Sequence, residues 1–214
     1  MTEVSGAIEE RATKTGMSFI EGKKTILFPF EITDGDFFYE CLKENENNIF
    51  MFSLKDRTKE QVINEVIWKI NNNQLAIFAC WTKQGKGARA IGFIYITDFN
   101  GWKLNVHGMI SKQFLKDIVQ QMEEKYTYTE DGYHTFLKHC FKTLGLEKVG
   151  TVISKDNRLA WKIDKKIGFK VDGVLRRALK DENNRFHDIV VMSILKEEYN
   201  NLPVGRLSQE DKKI

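Results

Sequence analysis

A short helix that passes through a glycine turn directly into a strand constrains the fold more than any other segment. Within residues 157–176, Leu159, Ile163 and Ile167 are four positions apart, which places them on one face of a helix. Gly168 follows the last of them and is a helix stop. An extended apolar run comes next. A helix packed on one side that leads at once into a strand predicts a layered domain of helices and sheet.

The rest of the chain alternates between strand-like and helix-like patterns. Its order predicts an α/β (α+β) domain with a central, mixed, mostly antiparallel twisted sheet of about seven strands flanked by helices. We expect a flexible N-terminal arm in residues 1–22, a single domain in 23–201 and a charged tail in 202–214. The predicted strands are 24–31, 74–82, 89–99, 102–110, 148–154, 169–180 and 185–195. The predicted helices are 34–44, 58–72, 112–125, 132–143 and 158–167, with a polar break at 127–131.

Charge, cysteine content and hydropathy indicate the general class of protein. The chain has 33 basic and 30 acidic residues, so its bulk charge implies no nucleic-acid partner. Cys41, Cys80 and Cys140 are odd in number and lack metal-ligand spacing, which indicates buried free thiols in a reducing compartment. No segment has the length of a membrane span or the core of a signal peptide, so we expect a cytoplasmic protein without a membrane partner. No metal site is predicted.

A series of short motifs in the C-terminal third points to a known family. Asn157 is followed by Ala160, by the Lys-Ile-Gly-Phe turn at 166–169 and by Asp-Gly-Val-Leu-Arg at 172–176. The apolar strand at 188–195 completes the series. In this order the motifs resemble the C-terminal half of a GCN5-related N-acetyltransferase (GNAT). The final strand is similar to the corresponding strand in the ribosomal-protein-type branch, which acetylates protein N-termini. It is also similar to that of divergent phage-encoded relatives.

The resemblance implies a fold, a reaction and a cosubstrate. The fourth and fifth strands of the predicted sheet, 102–110 and 148–154, would be splayed, leaving a slot for the pantetheine arm of acetyl-CoA. The acetyl group would pass to a primary amine by direct attack in a ternary complex. A protein N-terminus, a lysine and a small amine all remain open as acceptors, as do a monomer and a homodimer. The alternative is a GNAT-fold binding or structural module without catalysis.

The resemblance also implies roles for residues beside this slot. Asn157 and Ala160 would contact the pantetheine arm, although Asn157 is equally suited to capping the helix. A backbone N–H at Met109 or Ile110 would stabilise the developing oxyanion, with Gly108 permitting a strand bulge there. One further residue, His107, would be the general base, and a structural histidine on a half-buried strand is the alternative.

Two parts of the sequence, the phosphate-binding loop and Asp164, depart from the family pattern. The phosphate-binding loop corresponds to residues 125–132, which contain one glycine. There Thr127, Thr129 and Gly132 are the candidate ligands, and an ordinary helix cap is the alternative. Asp164 stands where many relatives have a tyrosine acid, and an ionised carboxylate would serve poorly. Arg176 would face an acidic acceptor or the CoA 3′-phosphate, and a solvated strand-end arginine is equally consistent.

Overall fold

The structure is a computed structural model that describes residues 19–45, 54–83, 88–114, 127–181 and 184–202. In these ranges eight strands form one sheet with the order β1-β2-β3-β4-β5-β6-β8-β7. The strands are β1 (Ile20–Glu21), β2 (Thr25–Pro29), β3 (Ala76–Thr82), β4 (Ala90–Thr97), β5 (Lys103–Ile110), β6 (Lys148–Ser154), β7 (Lys170–Lys180) and β8 (Phe186–Leu195).

Helices cover both faces of the sheet. A 3₁₀ turn (Ile32–Asp34) leads into the first helix, and the third continues into a π-helical turn (His139–Thr143). The helices are α1 (Gly35–Glu44), α2 (Lys59–Asn71), α3 (Tyr128–Lys138), α4 (Arg158–Ile167) and α5 (Lys196–Asn200). Most of the predicted helix 112–125 lies outside the described residues.

The predicted fold class is confirmed, with one more strand than expected. The β5–β6 pair is parallel and the other pairs in the described sheet are antiparallel. The additional strand, β1, falls within the segment predicted as the arm, where Ile20 and Glu21 pair with β2. Residues 1–18 and 203–214 lie outside the described ranges, so the proposed limits of the arm and the tail remain predictions.

Two apolar cores hold the sheet between the helices. On one face, Leu104 and Val106 of β5 pack with Phe136 and Leu137 of α3. On the other, Met109 belongs to a second cluster, whose members from α1 and α2 include Phe38, Cys41, Val62 and Val66. Because side chains alternate along a strand, β5 contributes to both cores. All three cysteines are buried and unpaired, as predicted.

The predicted splay of β5 and β6 is confirmed. The two strands pair only where Lys103–Asn105 lie beside Lys148–Gly150, and their remaining residues diverge. The expected bulge at Gly108 is wrong, because β5 keeps an unbroken register with β4 from Asn105 to Ile110. Glycine is required at 108 for a different reason: a Cβ there would lie 2.4 Å from the Tyr133 hydroxyl of α3.

The predicted polar break at 127–131 is also wrong, because α3 starts within it. Thr127 caps the helix: its hydroxyl accepts a hydrogen bond from the Glu130 N–H, and the Glu130 carboxylate accepts one from the Thr127 N–H. Asp131 is buried and accepts hydrogen bonds from the N–H groups of Lys23, Lys24 and Thr25. Acidic side chains in the first turn of a helix are favourable near its positive end, and hydrogen-bond donors offset the cost of burying their charge.

Candidate active site

The divergence of β5 and β6 opens a cavity of about 650 Å³ that reaches both faces of the sheet. Gly108 and Ile110 lie on the α3/α4 side of β5, whereas His107 lies on the α1/α2 side. Residues from both sides, including Tyr133 of α3 and Asn45 after α1, line the same cavity. A cosubstrate on one face and an acceptor on the other would therefore meet inside it.

The backbone of β5 presents N–H groups to this cavity. The N–H of Ser111 donates to the Ile91 carbonyl on β4. In an antiparallel pair the direction of the N–H groups alternates, so Met109 also points its N–H at β4. Gly108 and Ile110 then point theirs into the gap. Of the two candidate oxyanion donors, Met109 and Ile110, the register favours Ile110.

The facing edge of β6 has the same character. The N–H of Lys155 donates to the Asp188 carbonyl of β8. By the same alternation, Val152 and Ser154 direct their backbone groups away from β8 and toward the gap. The Ser154 carbonyl accepts a hydrogen bond from the Asn157 N–H. An extended chain with amide groups can pair with such an edge as an added strand.

The sequence-predicted pair Asn157 and Ala160 lies on the cavity wall. The Asn157 side-chain oxygen accepts a hydrogen bond from the Ala160 N–H at 3.2 Å, so this residue does cap α4. The amide nitrogen of the same side chain is not used in the cap and remains a donor for a ligand. Capping and ligand binding are therefore compatible here, and the small Ala160 leaves room beside the asparagine.

The three candidates for phosphate binding have different environments. Thr127 is committed to the capping interaction, and Gly132 packs toward Cys80, where an added Cβ would lie 3.2 Å from the sulfur. Thr129 lies in the first turn of α3, lines the cavity and has a buried hydroxyl with no hydrogen-bond partner in the described part of the chain. Glu130 is buried nearby and forms an ion pair with Lys166 at 2.8 Å.

The start of α3 has features that suit a pyrophosphate. The first N–H groups of a helix have no partner within the helix and favour an anion. The orphaned Thr129 hydroxyl adds a donor at the same place, and Lys166 offsets the charge of Glu130. The arrangement fits a pyrophosphate at Thr129, whereas the Thr127 side chain caps the helix and Gly132 packs toward Cys80. The loop before Thr127 lies outside the described residues.

His107 is buried on the cavity wall and stacks on Tyr95, with ring centroids 5.0 Å apart. Its Nε2 lies 3.3 Å from the Thr97 hydroxyl. Burial lowers the pKa of His107 to about 4, with the Asp98 charge opposing the shift. The ring is therefore neutral near pH 7, able to accept a hydrogen bond or a proton, but it is a weak base.

Two further titratable residues, Asp164 of α4 and Tyr133 of α3, lie on the face of the sheet opposite His107. Both line the cavity, and the Asp164 side chain is only 4% exposed. Burial raises the pKa of Asp164 to about 7. Burial, followed by the nearby Asp164 charge, raises the pKa of Tyr133 above its ordinary value. The carboxyl that the sequence suggested would be fully ionised is therefore partly protonated near pH 7.

The structure brings together a cluster at the cavity mouth that the sequence did not reveal. The His187 ring lies between two carboxylates, with Nδ1 2.9 Å from Asp156 and Nε2 3.0 Å from Asp181. These hydrogen bonds raise the pKa of His187. The three residues come from separate loops and strands, so no local spacing signalled them. The predicted substrate residue Arg176 is exposed on β7 and is not part of the cavity wall.

Comparison with known proteins assigns the family. The sequence profile of the acetyltransferase (GNAT) domain matches residues 24–170, more than half of the chain. The chain belongs to the GNAT acetyltransferase family. No curated protein matches the sequence. The family assignment therefore comes from the profile, and the confirmed resemblance does not extend to a particular branch.

Solved structures show the same fold at low sequence identity. A GNAT-family acetyltransferase from Bacillus anthracis has 17% identity and a TM-score of 0.67, and the match covers 84% of this GNAT chain and 99% of that chain. A variant of spermidine N-acetyltransferase SpeG from Vibrio cholerae has 18% identity and a TM-score of 0.66, covering 83% and 97%. At such identities the similarity establishes the fold alone.

The described residues contain neither a candidate metal site nor a candidate membrane span. No group of three histidine, cysteine, aspartate or glutamate residues is placed to hold a metal ion there. Among the helices described, none combines the length and apolar character that crossing a membrane requires.

Proposed function

We propose that this GNAT protein is an acetyl-CoA-dependent N-acetyltransferase that moves the acetyl group to a primary amine by direct attack in a ternary complex. The observation that carries the proposal is the open gap between β5 and β6. Pairing stops after Asn105 and Gly150, and a cavity of about 650 Å³ occupies the divergence. A binding or structural module would not need to keep the two strands apart, because backbone groups that lose their strand partners inside a protein are costly.

The cosubstrate has a matching surface along this gap. Gly108 and Ile110 on one edge and Val152 and Ser154 on the other offer backbone groups to the pantetheine amides. The Asn157 amide lies at the end of β6, and Thr129 with the start of α3 would receive the pyrophosphate. The Ile110 N–H is the donor we assign to the thioester oxygen.

The acceptor amine would enter from the α1/α2 face. There His107 is neutral and stacked on Tyr95, so its position suits an amine that approaches the thioester carbon. We assign His107 the acceptance of a hydrogen bond or a transient proton from the amine. Its low pKa makes it a weak base, so positioning supplies much of the rate enhancement.

The acceptor class stays broad within this proposal. A protein N-terminus, a lysine side chain and a small amine all fit a cavity open to both faces. Spermidine belongs in the test panel, since spermidine N-acetyltransferase shares the fold. The cytoplasmic location and the choice between monomer and homodimer remain predictions, and the bulk charge gives no reason to expect a nucleic-acid partner.

Thermal denaturation in the presence of acetyl-CoA tests the proposal. A ligand at 100 times its Kd stabilises the native state by about 2.7 kcal/mol, which raises the melting temperature by several degrees. An acceptor screen that follows release of the CoA thiol should then identify an amine. If millimolar acetyl-CoA leaves the melting temperature unchanged, the enzyme proposal is overturned in favour of the non-catalytic module.

A matched pair of glycine variants locates the binding. In Gly108→Ala the new methyl group meets the Tyr133 hydroxyl at the edge of the slot. In Gly173→Ala it meets nothing within 4 Å. We expect the first variant to weaken the stabilisation by acetyl-CoA at least tenfold in apparent Kd and the second to leave it unchanged. Equal effects would place the ligand elsewhere.

A further inference from the structure

We propose that Glu44 and Asn45, at the C-terminal end of α1, are positioning residues that hold the end of β5 so that the Ile110 N–H faces the thioester. The inference rests on the proposed function and adds two residues to it. Glu44 is the last residue of α1, and Asn45 is its C-cap. Both line the cavity together with Ile110, so the end of this helix lies beside the assigned oxyanion donor.

Asn45 contacts the side of β5 that faces the gap. Its side-chain nitrogen donates one hydrogen bond to the Cys41 carbonyl at 2.7 Å and another to the Ile110 carbonyl at 3.0 Å. An asparagine amide nitrogen carries two hydrogens, so both are used. The opposite orientation of the amide would place its oxygen against two carbonyl oxygens. The nitrogen therefore faces β5 and holds the Ile110 carbonyl.

Glu44 holds the next backbone group on the same side of the chain. Its carboxylate accepts a hydrogen bond from the Lys112 N–H at 2.6 Å. Backbone groups two residues apart on an extended chain face the same way, so a strand beside β5 would bond this N–H and the Ile110 carbonyl. The pairing of β6 with β5 has already stopped before this point. The side chains of Glu44 and Asn45 thus take the place of a missing strand.

These contacts fix the Ile110 backbone from the open side of β5. On the other side β4 holds the following residue, because the Ser111 N–H donates to the Ile91 carbonyl. Asn45 holds the Ile110 carbonyl, and the Ile110 N–H is left directed into the gap. A donor for a developing oxyanion contributes most when it is fixed before the reaction. The end of α1 provides that restraint where β6 does not.

α1 is itself anchored, so its end can act as a restraint. Phe38 and Cys41 of α1 are buried in the second core, which also contains Met109 of β5. Met109 directly precedes Ile110, and Cys41 supplies the carbonyl that Asn45 caps. The end of the helix and the end of the strand therefore share one packed cluster and keep a fixed separation.

The end of α2 separates helix capping from positioning. Asn72 is the C-cap of α2, and its side-chain nitrogen donates to the Trp68 carbonyl at 2.8 Å. This bond reaches the carbonyl four residues earlier, as the bond from Asn45 to Cys41 does. Of these two asparagines, Asn45 alone adds a bond to a strand. Capping therefore accounts for Asn72 and for half of what Asn45 does, and Asn72 is the matched control.

An infrared spectrum of bound acetyl-CoA tests the proposal directly. The ligand carries an isotopic label on the thioester carbonyl, so that its band is separated from those of the protein. A hydrogen bond from the Ile110 N–H should lower the carbonyl frequency below that of free acetyl-CoA. In Asn45→Leu, which removes both donated hydrogens, most of this shift should be lost. Asn72→Leu should retain the full shift.

Two variants of Glu44 separate its hydrogen bond from its charge. In Glu44→Gln the side-chain oxygen can still accept from the Lys112 N–H, whereas Glu44→Leu has no acceptor. We expect Glu44→Gln to retain more of the carbonyl shift than Glu44→Leu. An equal loss in the two variants would overturn the role assigned to Glu44.

Steady-state kinetics should follow the spectrum. With the amine identified by the acceptor screen, kcat of Asn45→Leu should fall about 100-fold, because the donor is misplaced by a small distance. The KM for acetyl-CoA should change less than about threefold, since the arm keeps its other contacts. Asn72→Leu should lower the melting temperature to a similar extent and keep the wild-type kcat. This division between kcat and KM is not expected of a capping residue.

The outcomes distinguish this proposal from the proposed function. A thioester band in Asn45→Leu at the wild-type frequency would overturn the proposal, as would an equal change in Asn72→Leu. Acetyl-CoA is bound in both cases, so the proposed function would stand. Failure of acetyl-CoA to stabilise the wild-type protein against heat would instead overturn the proposed function and this role together.

Discussion

At the scale of single residues, burial decides which titratable groups can take part in proton transfer. From the sequence, Asp164 is expected to be an ionised carboxylate that is a poor acid. His107 is expected to be a general base. Burial raises the pKa of Asp164 to about 7 and lowers that of His107 to about 4. The apolar surroundings disfavour the charged form in both cases. The aspartate therefore gains acid character near pH 7, and the histidine loses basicity.

The weak basicity of His107 leads to a prediction for His107→Asn. The asparagine retains hydrogen-bonding capacity but cannot accept a proton. We expect kcat/KM to fall about tenfold, the loss being small because a group with a pKa of about 4 holds little of the proton. Steady-state rates between pH 6 and 9 should show the same profile shape in both proteins. A 1000-fold loss of kcat/KM would contradict this role. So would a wild-type pH–rate profile with a limb near pH 6.5 that is missing in His107→Asn.

The raised pKa of Asp164 also predicts a pH dependence of stability. The folded carboxyl binds its proton more tightly than the unfolded one, so the free energy of unfolding falls as pH rises from about 4 through about 7. At about 1.4 kcal/mol per pH unit, the ionised form costs about 4 kcal/mol.

Asp164→Asn should remove that cost. Its melting temperature should exceed that of wild type at pH 8.5 and approach it at pH 5, as measured by circular dichroism. An equal difference at both pH values would show that Asp164 is not neutral in the folded protein.

At the scale of elements, the start of α3 ties the helix to the sheet. The Asp131 carboxylate accepts hydrogen bonds from three consecutive N–H groups, those of Lys23, Lys24 and Thr25, and from the Thr25 hydroxyl. These contacts also explain why acidic residues occur where the family pattern suggests a phosphate loop. Asp131 points toward β2 and away from the cavity, so its charge does not oppose a phosphate on Thr129.

Asp131→Ala should therefore be strongly destabilising. Four donors would lose their acceptor, two of them fully buried on Thr25, and we expect a loss of about 3 kcal/mol in the free energy of unfolding. Asp36→Ala is the control, because Asp36 is 84% exposed and pairs with Lys59 at the surface. That variant should cost less than 1 kcal/mol in urea denaturation. Similar losses in the two variants would contradict the assigned role.

At the scale of the whole molecule, the sheet consists of two parts joined by a short contact. β5 and β6 pair over three residues at one end, and α3 packs across the divergence at the other. A ligand in the gap would bond to both strand edges and connect the parts. The cosubstrate is thus expected to complete the sheet as well as to supply the acetyl group.

Hydrogen exchange with and without acetyl-CoA tests this view. Peptides covering 106–110 and 150–154 should both exchange more slowly when the cosubstrate is bound, because N–H groups facing the gap gain partners. A peptide from β2 and β3, on the far side of the sheet, should change far less. Protection of only one of the two edges would show that the ligand does not bridge them.

The sequence by itself determined the family and most of the elements. The apolar period of four in 158–167, the stop at Gly168 and the strand after it required only local information, and each is present in the structure. The observed φ of +125° at Gly168 is a conformation that glycine adopts readily. The series of motifs from Asn157 to Leu195 then predicted a fold whose strands splay.

Only the tertiary structure decided the chemistry of the site. Asp164 and Tyr133 are 31 positions apart, and Asp156, Asp181 and His187 come from three segments, so no spacing rule brings them together. The sequence predicts a polar break at the start of α3, because no local pattern shows that the Asp131 carboxylate is buried against β2. Burial and the direction of backbone N–H groups depend on packing between distant elements. They therefore appear only when the sheet and its helices are assembled.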